Sequence, residues 1–506
     1  MDSPRDVDAD FLALPLSALA DAALSIARAG GASHADLRVH RLADQSLRLR
    51  DGVVQSAVDG SDLGLAVRVV VDGTWGFASH AELTPDSAAA TARAALDVAR
   101  ALRALNRDRV ELADEPVHPG VTWVSEYTVD PFAVATADKL ALLTERSRLL
   151  LAAPGVHHVT ASCLQVKEQV FYADLAGSSI TQQRVRLHPE LEAVTVDRDA
   201  GSFESMRTLA PPVGRGWEYV ATDETWDWTG ELAELPDLLA EKSRAPSVRP
   251  GATDLVIDPT NLWLTIHESI GHATEYDRAI GYESAYAGTS FATPDLLGSL
   301  RYGSDVMHVT ADRTAPHGLA TVGYDDDGVA TGAWDLVRDG VFVDYQLDRA
   351  FATKLGRPRS NGCSYADSAH HVPLQRMANV SLQPDPHTDR STADLIAGVD
   401  DGIYVVGDRA WSIDMQRYNF QFTGQRFYRI RGGVLDGQLR GVAYQATTTD
   451  FWGSMDAVGG PSTWQLGGAF NCGKAQPGQV AAVSHGCPSA RFRGVTVLDT
   501  DQEARA

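Results

Sequence analysis

The hexapeptide His267-Glu268-Ser269-Ile270-Gly271-His272 constrains this chain more tightly than any other stretch. Its neighbours are apolar: Leu262, Leu264, Ile266 and Ile270 argue for a buried helix, and Pro259-Thr260 after the short apolar strand Asp254–Asp258 offers a start signal. Two imidazoles with a carboxylate between them are the minimal kit of a zinc hydrolase: two neutral nitrogen ligands and a base. The spacing, however, does not suit a regular helix. Histidines at i and i+4 stand about 40° apart around the axis, whereas i and i+5 stand about 140° apart, too far for one metal. The segment therefore has to widen. A π-bulge, with i→i+5 bonds, would return both rings to one face, and Gly271 would ease the distortion. The competing reading is an ordinary helix with two unrelated histidines.

A catalytic zinc takes three protein ligands and leaves one position for water. The residues alone leave the third ligand open among Glu275, Asp277, Cys472, Cys487 and His485. Glu275, three residues after His272, could bind metal directly or hold the histidine by a hydrogen bond. Cys472 lies in the glycine-flanked stretch Gly467–Lys474, which reads as a loop, and a thiolate there would be a strong, soft ligand.

Formal charge is −23, from 44 Lys+Arg against 67 Asp+Glu, which argues against direct nucleic-acid binding. The acidic first ten residues have no secretory pattern, and no apolar run reaches membrane-spanning length. Four cysteines in 506 residues are too few for a disulfide scaffold and point to a reducing, cytoplasmic setting.

Along the chain, residues 1–15 read as disordered. Residues 16–225 read as an α+β domain: an antiparallel sheet with long helices over about 16–30, 86–105 and 135–153, and strands at 36–42, 45–50, 63–71 and through 156–208. Residues 226–252 read as a linker region with a polar helix and a Pro/Gly breaker. Residues 253–498 read as a β-rich, barrel-like domain carrying the metal helix, and 499–506 as a tail. Asp325-Asp326-Asp327 before Gly328 reads as a solvated turn, and Arg278 and Arg301 as surface charge. No Gly-x-Ser-x-Gly elbow is present, which disfavours a serine hydrolase.

Residues 267–277, His-Glu-Ser-Ile-Gly-His-Ala-Thr-Glu-Tyr-Asp, resemble the HExxGHxxExD signature of the TldD/PmbA family of cytoplasmic zinc peptidases. Gly64–Ser79, Gly323–Gly328, Gly402–Val406 and Asn471–Lys474 resemble further blocks of that family, in order, so the resemblance runs from about residue 16 to 498. It implies zinc held by His267, His272 and Cys472, with Glu268 as the catalytic base. It also implies the metal-bearing TldD type, which pairs with a metal-free paralogue as a heterodimer or else forms a homodimer. Two stretches depart from the pattern: Asp408–Asp414 lacks glycine, and Ser484-His-Gly-Cys-Pro-Ser489 replaces a blander sequence. The function expected is a peptidase for unfolded or short peptides. The alternatives are a zinc-dependent tailoring enzyme for a peptide-derived metabolite and a non-catalytic zinc-bound scaffold. A base such as Glu268 speaks against the scaffold.

Overall fold

The structure is a computed structural model that describes residues 6–198 and 202–500. The first half is a seven-stranded sheet. Its helices are α1 (Leu16–Ala29), α2 (Pro85–Leu102), α3 (Thr136–Leu151) and α4 (Trp228–Arg244). Its strands are β1 (His34–Arg50), β2 (Val53–Val71), β3 (Thr74–His80), β4 (Val121–Val124), β5 (His158–Asp174), β6 (Ser179–Asp197) and β7 (Ser202–Arg207). The order is β3-β2-β1-β5-β6-β4, with β7 also on β6. All pairings are antiparallel except β4 on β6. The expected break between residues 42 and 45 is absent. Strand β1 runs unbroken for 17 residues because it is hydrogen-bonded along most of its length by β2 on one side and β5 on the other.

Alternation along β1 decides which face meets what. Ala35, Leu37, Val39, Leu47 and Leu49 point to the helical face, where α1 and α2 cover one end and α3 and α4 the other. Helix α2 lies so close on β3 that a Cβ on Gly76 would stand 1.9 Å from the Ala95 carbonyl oxygen. The opposite face carries buried charge. Glu168 accepts from Arg184 and Arg186, each at 2.7 Å, and lies 3.0 Å from His40. Arg38 and Arg68 reach across to Asp326 and Asp327 of the second half. The three aspartates are therefore not a solvated turn. They are buried, and Asp325 accepts the backbone N–H groups of Asp327, Val329 and Ser364. Paired in this way, the charges clasp the two halves together.

Two boundaries differ from the sequence reading. Residues 9–12 form a helical turn whose Phe11 is fully buried, so the segment before residue 16 is not unstructured there; residues 1–5 lie outside the described residues. Residues 226–252 are not a linker, because Trp228, Leu232, Leu235 and Leu239 form the apolar stripe that seats α4 in the first domain's core.

The second half begins with β8 (Gly251–Ile257) and α5 (Pro259–Ile266). Its main strands are β9 (Asp401–Ile413), β10 (Asn419–Arg431), β11 (Val442–Thr447), the hairpin β12 (Gln465–Lys474) and β13 (Gln479–Cys487), and β14 (Ala490–Asp499). The pairings β9-β8-β14-β11-β10 close back on β9 to give a five-stranded barrel. Leu255, Val405, Phe422, Tyr444 and Phe492 belong to its core. The sequence reading ended order near residue 498, yet β14 continues through Asp499; residues 501–506 lie outside the described residues. No helix among the described residues is long and apolar enough to cross a membrane.

Candidate metal centre

Helix α5 starts where Asp258 caps Thr260 N–H at 3.0 Å and Pro259 takes the first helical position. Asn261 anchors it to the barrel, donating to the carbonyls of Gly407 (2.9 Å) and Thr423 (3.0 Å). Tyr444, a barrel residue, donates to Asn261 Oδ1 at 2.9 Å and lies 2.8 Å from the Thr265 hydroxyl. After Ile266 the helix changes pitch. Residues His267–Gly271 are π-helical, and the His272 N–H bonds to the His267 carbonyl, five residues back. The widening forced by the i, i+5 spacing is therefore present, and it brings the two imidazole centroids to 4.7 Å.

A widened turn disturbs the carbonyl ladder, and neighbouring side chains restore it. Tyr302 donates its hydroxyl to the Ser269 carbonyl. Gln346 donates to the Gly271 carbonyl at 2.8 Å and to the Thr274 hydroxyl at 3.0 Å. Gly271 keeps ordinary helical angles (φ −52°, ψ −61°), so its role is not the conformational freedom expected of it. It is a matter of space: a Cβ there would stand 2.5 Å from Met377 Sδ.

Cys472 comes from the hairpin. Its stretch is not a loop but strand β12, and the register with β13 shifts between Ala469 and Cys472. Such a bulge re-aims the side chains that follow it. Cys472 Sγ lies 3.5 Å from His272 Nε2. One donor atom from each of His267, His272 and Cys472 falls within 4.8 Å of the others, and all three residues are buried. Of the third-ligand candidates, Cys472 alone joins the histidines. Cys487 is packed in the core with its thiol 3.6 Å from the Pro259 carbonyl.

Hydrogen bonds set both imidazole tautomers. His485 Nδ1 lies 2.8 Å from the Val380 carbonyl, which can only accept, so Nδ1 carries the proton and Nε2 is free to accept. His267 Nδ1, 2.7 Å from that Nε2, then donates, and His267 Nε2 keeps its lone pair. His272 Nδ1 donates to Glu275 at 2.7 Å, which likewise leaves His272 Nε2 free. Burial keeps the rings neutral, lowering His272 to about 3 and His485 to about 4 and holding His267 well below its usual value. Burial also pushes the Cys472 thiol up to about 11. Two neutral imidazole nitrogens and a buried thiol form a donor set that suits a borderline-soft divalent cation, which would hold the sulfur as thiolate.

Beneath His272 lies a buried charge network. Lys474, two residues beyond Cys472, donates to Glu275 (3.0 Å), Asp277 (2.9 Å) and Gln375 (3.0 Å) and stands 3.3 Å from Glu283. Arg278 pairs with Glu283 at 3.0 Å and is buried, so it is not surface charge; Arg301, exposed and paired with Asp305, is. Glu275 thus takes the hydrogen-bonding role of the two considered for it. Glu268 is bonded to Arg417, a residue at the β9–β10 turn with φ +63°. Burial raises the Glu268 pKa, and Arg417 is the largest opposing influence. The positions of Arg417 and Gln346 were not singled out in the sequence. Neither lies near a motif, and each acts only through contacts across the fold.

A mixed α+β protein with a buried donor set of two histidines and a cysteine that could hold a metal ion is the class that this fold and site define. Residues 250–499 match the family model described as the PmbA/TldA metallopeptidase C-terminal domain, and residues 35–99 match that of the PmbA/TldA metallopeptidase domain 1. The chain is 27% identical over 500 residues to a metalloprotease of Methanothermobacter thermautotrophicus, covering 98% of this chain and 100% of that one. It is 23% identical over 275 residues to a zinc metalloprotease TldD homolog of Saccharolobus solfataricus, covering 54% of this chain and 58% of that one. Among solved structures, TldE from Thermococcus kodakarensis shares the fold with a TM-score of 0.68 at 16% identity, covering 94% of this chain and 98% of that one. The chain belongs to the TldD/PmbA family and is a metallopeptidase.

Proposed function

We propose that this chain is a zinc-dependent peptidase in which His267, His272 and Cys472 hold the metal and Glu268 is the general base. The observation that carries this reading is the convergence within 4.8 Å of the Cys472 thiol and the two histidines that bracket a π-helical turn whose second residue is Glu268. Zinc in such a site supplies a Lewis acid that polarises the scissile carbonyl and makes water acidic near neutrality. Glu268 takes the proton of the attacking water and later returns it to the leaving amine. Burial raises its pKa, and Arg417 is the largest influence opposing that rise. His485 and Glu275 hold the two imidazoles with Nε2 outward. Glu268→Gln keeps the shape and removes the base. It should retain metal and lose about 10²–10⁴-fold in peptide turnover. Undiminished turnover would remove Glu268 from the mechanism and favour the scaffold reading.

The substrates are unfolded or short peptides. His267, Glu268 and His272 are at most 5% exposed, so a compact substrate could not bring a backbone to them. An extended segment, paired by its backbone against a strand edge, could. One substrate protein in stable and destabilised versions with the same cut site tests this, since cleavage should follow the opened fraction. The chain works in the cytoplasm, in keeping with four free, buried thiols. It pairs with a metal-free paralogue, or else with itself. The fold it shares with TldE from Thermococcus kodakarensis supports a related partner. Size determination of the chain alone and co-expressed with such a paralogue is the test.

A further inference from the structure

Between the two halves lies a cavity of about 580 Å3 that opens to solvent. Its walls are apolar, with Trp75 and Phe77 of β3, Leu102 of α2, and Phe351, Val372 and Leu374 of the second half. Leu102 and Val372 are 45% and 41% exposed, so a ligand would cover apolar surface now facing water. Its lining also includes Asp277, Asp327 and Asp348.

The charges of this lining are unequally satisfied. Asp327 is paired with Arg68 at 2.8 Å, and Asp277 with Lys474 at 2.8 Å. Lys354 is engaged with Asp108. Arg109 and Glu111, of opposite sign, are exposed at the rim. Asp348 is the exception. It is 9% exposed, and one oxygen caps Phe351 N–H at 2.8 Å. Among the described residues its other oxygen has no hydrogen-bond or ion-pair partner. Burial and the neighbouring Asp327 push its pKa up to about 7, against a smaller opposing influence from Arg68, whose guanidinium is itself paired with Asp36 and Asp327. Arg68 and Lys354 of the lining are already paired, so an anion would meet the unpaired carboxylate of Asp348. A cation with an apolar body would fill the walls and give Asp348 the charge it lacks.

We propose that this cavity binds a primary ammonium carried on a bulky apolar body, with Asp348 receiving the ammonium. A peptide whose first residue is large and apolar presents this chemistry at its free N-terminus, and a small arylalkyl amine presents it alone. The site does not depend on the metal. It shares only a wall with the network beneath His272, through Asp277 and Gln375.

The test is calorimetric titration of the full-length chain carrying Glu268→Gln, so that no probe is hydrolysed. The probes are Phe-Ala-Ala-Ala amide, its N-acetylated form, and phenethylamine. The free peptide should bind at least about tenfold more tightly than the acetylated one, the usual scale for a charged hydrogen bond. Adding Asp348→Asn, which still caps the helix, should bring the two peptides to equal affinity. Adding Leu102→Lys, a change at an exposed position, should weaken the free peptide without relying on any buried substitution. Phenethylamine binding as tightly as the peptide would assign the site to small amines and support the same chemistry. Equal affinity of free and acetylated peptide, or a preference that survives both Asp348→Asn and Leu102→Lys, would overturn the proposal while leaving the peptidase reading intact.

Discussion

His267 donates its Nδ1–H to Nε2 of His485 at 2.7 Å, and His485 is itself fixed by the Val380 carbonyl. One imidazole thus sets the tautomer of another, and the free nitrogen of His267 faces the donor cluster. Removing a partner that orients a ligand typically lowers metal affinity about 10–100-fold. His485→Phe, which fills the space but accepts no hydrogen bond, should show such a drop in competition with a chelator of known affinity. Unchanged affinity would mean that packing alone holds His267.

The choice between the two thiols of the β12–β13 hairpin is equally direct. Cys472→Ala should leave the purified chain with little bound metal, whereas Cys487→Ala, whose thiol faces the Pro259 carbonyl, should retain it. Elemental analysis after gel filtration reads both. Retention by the first variant and loss by the second would reverse the assignment.

Gly271 should tolerate no side chain without cost. The added methyl of Gly271→Ala would meet Met377 Sδ at 2.5 Å and Cε at 2.9 Å in a buried setting. Overpacking of this kind costs about 1–3 kcal/mol, and the flexible end of Met377 places the expectation near the lower limit. Chemical denaturation should show that loss, and Met377→Ala in the same chain should recover part of it. A Gly271→Ala chain as stable as the original would show that the turn has room to spare.

Acid should destabilise the metal-free protein in a defined window. His188 and His485 are lowered to about 4 in the fold, chiefly by burial, from an ordinary value of 6.5. The unfolded chain therefore binds more protons than the folded one below pH 6.5. The stability these groups contribute is present above pH 6.5 and is lost as pH falls towards 4, by linkage on the order of 3 kcal/mol or less per group. Denaturation midpoints across that range should fall, and His188→Phe should flatten part of the slope. A flat profile between pH 6.5 and 4 would mean that the rings are reached by water.

The sequence by itself determined the pitch of the metal helix. Two histidines five residues apart in a buried apolar segment can share a metal only if the helix widens, and that follows from residues per turn alone. It also determined the alternating faces of the long strands and the amphipathic helices over them, since period 2 and period 3.6 are local properties. The family resemblance added Cys472, about two hundred residues away, which no spacing rule could attach to the histidines. What only the tertiary structure decided are relationships between distant segments. His485 lies opposite Gly467 in the β12–β13 hairpin, and that pairing brings it to His267. Phe11 and α4 pack into the first domain, and which part of its core each one fills is settled only by that packing. Asp325–Asp327 has the composition of a solvated turn, yet it is buried because Arg38 and Arg68 arrive from another domain to meet it. Local periodicity is written in one stretch of chain, but the partner of a buried charge is fixed only when the chain closes around it.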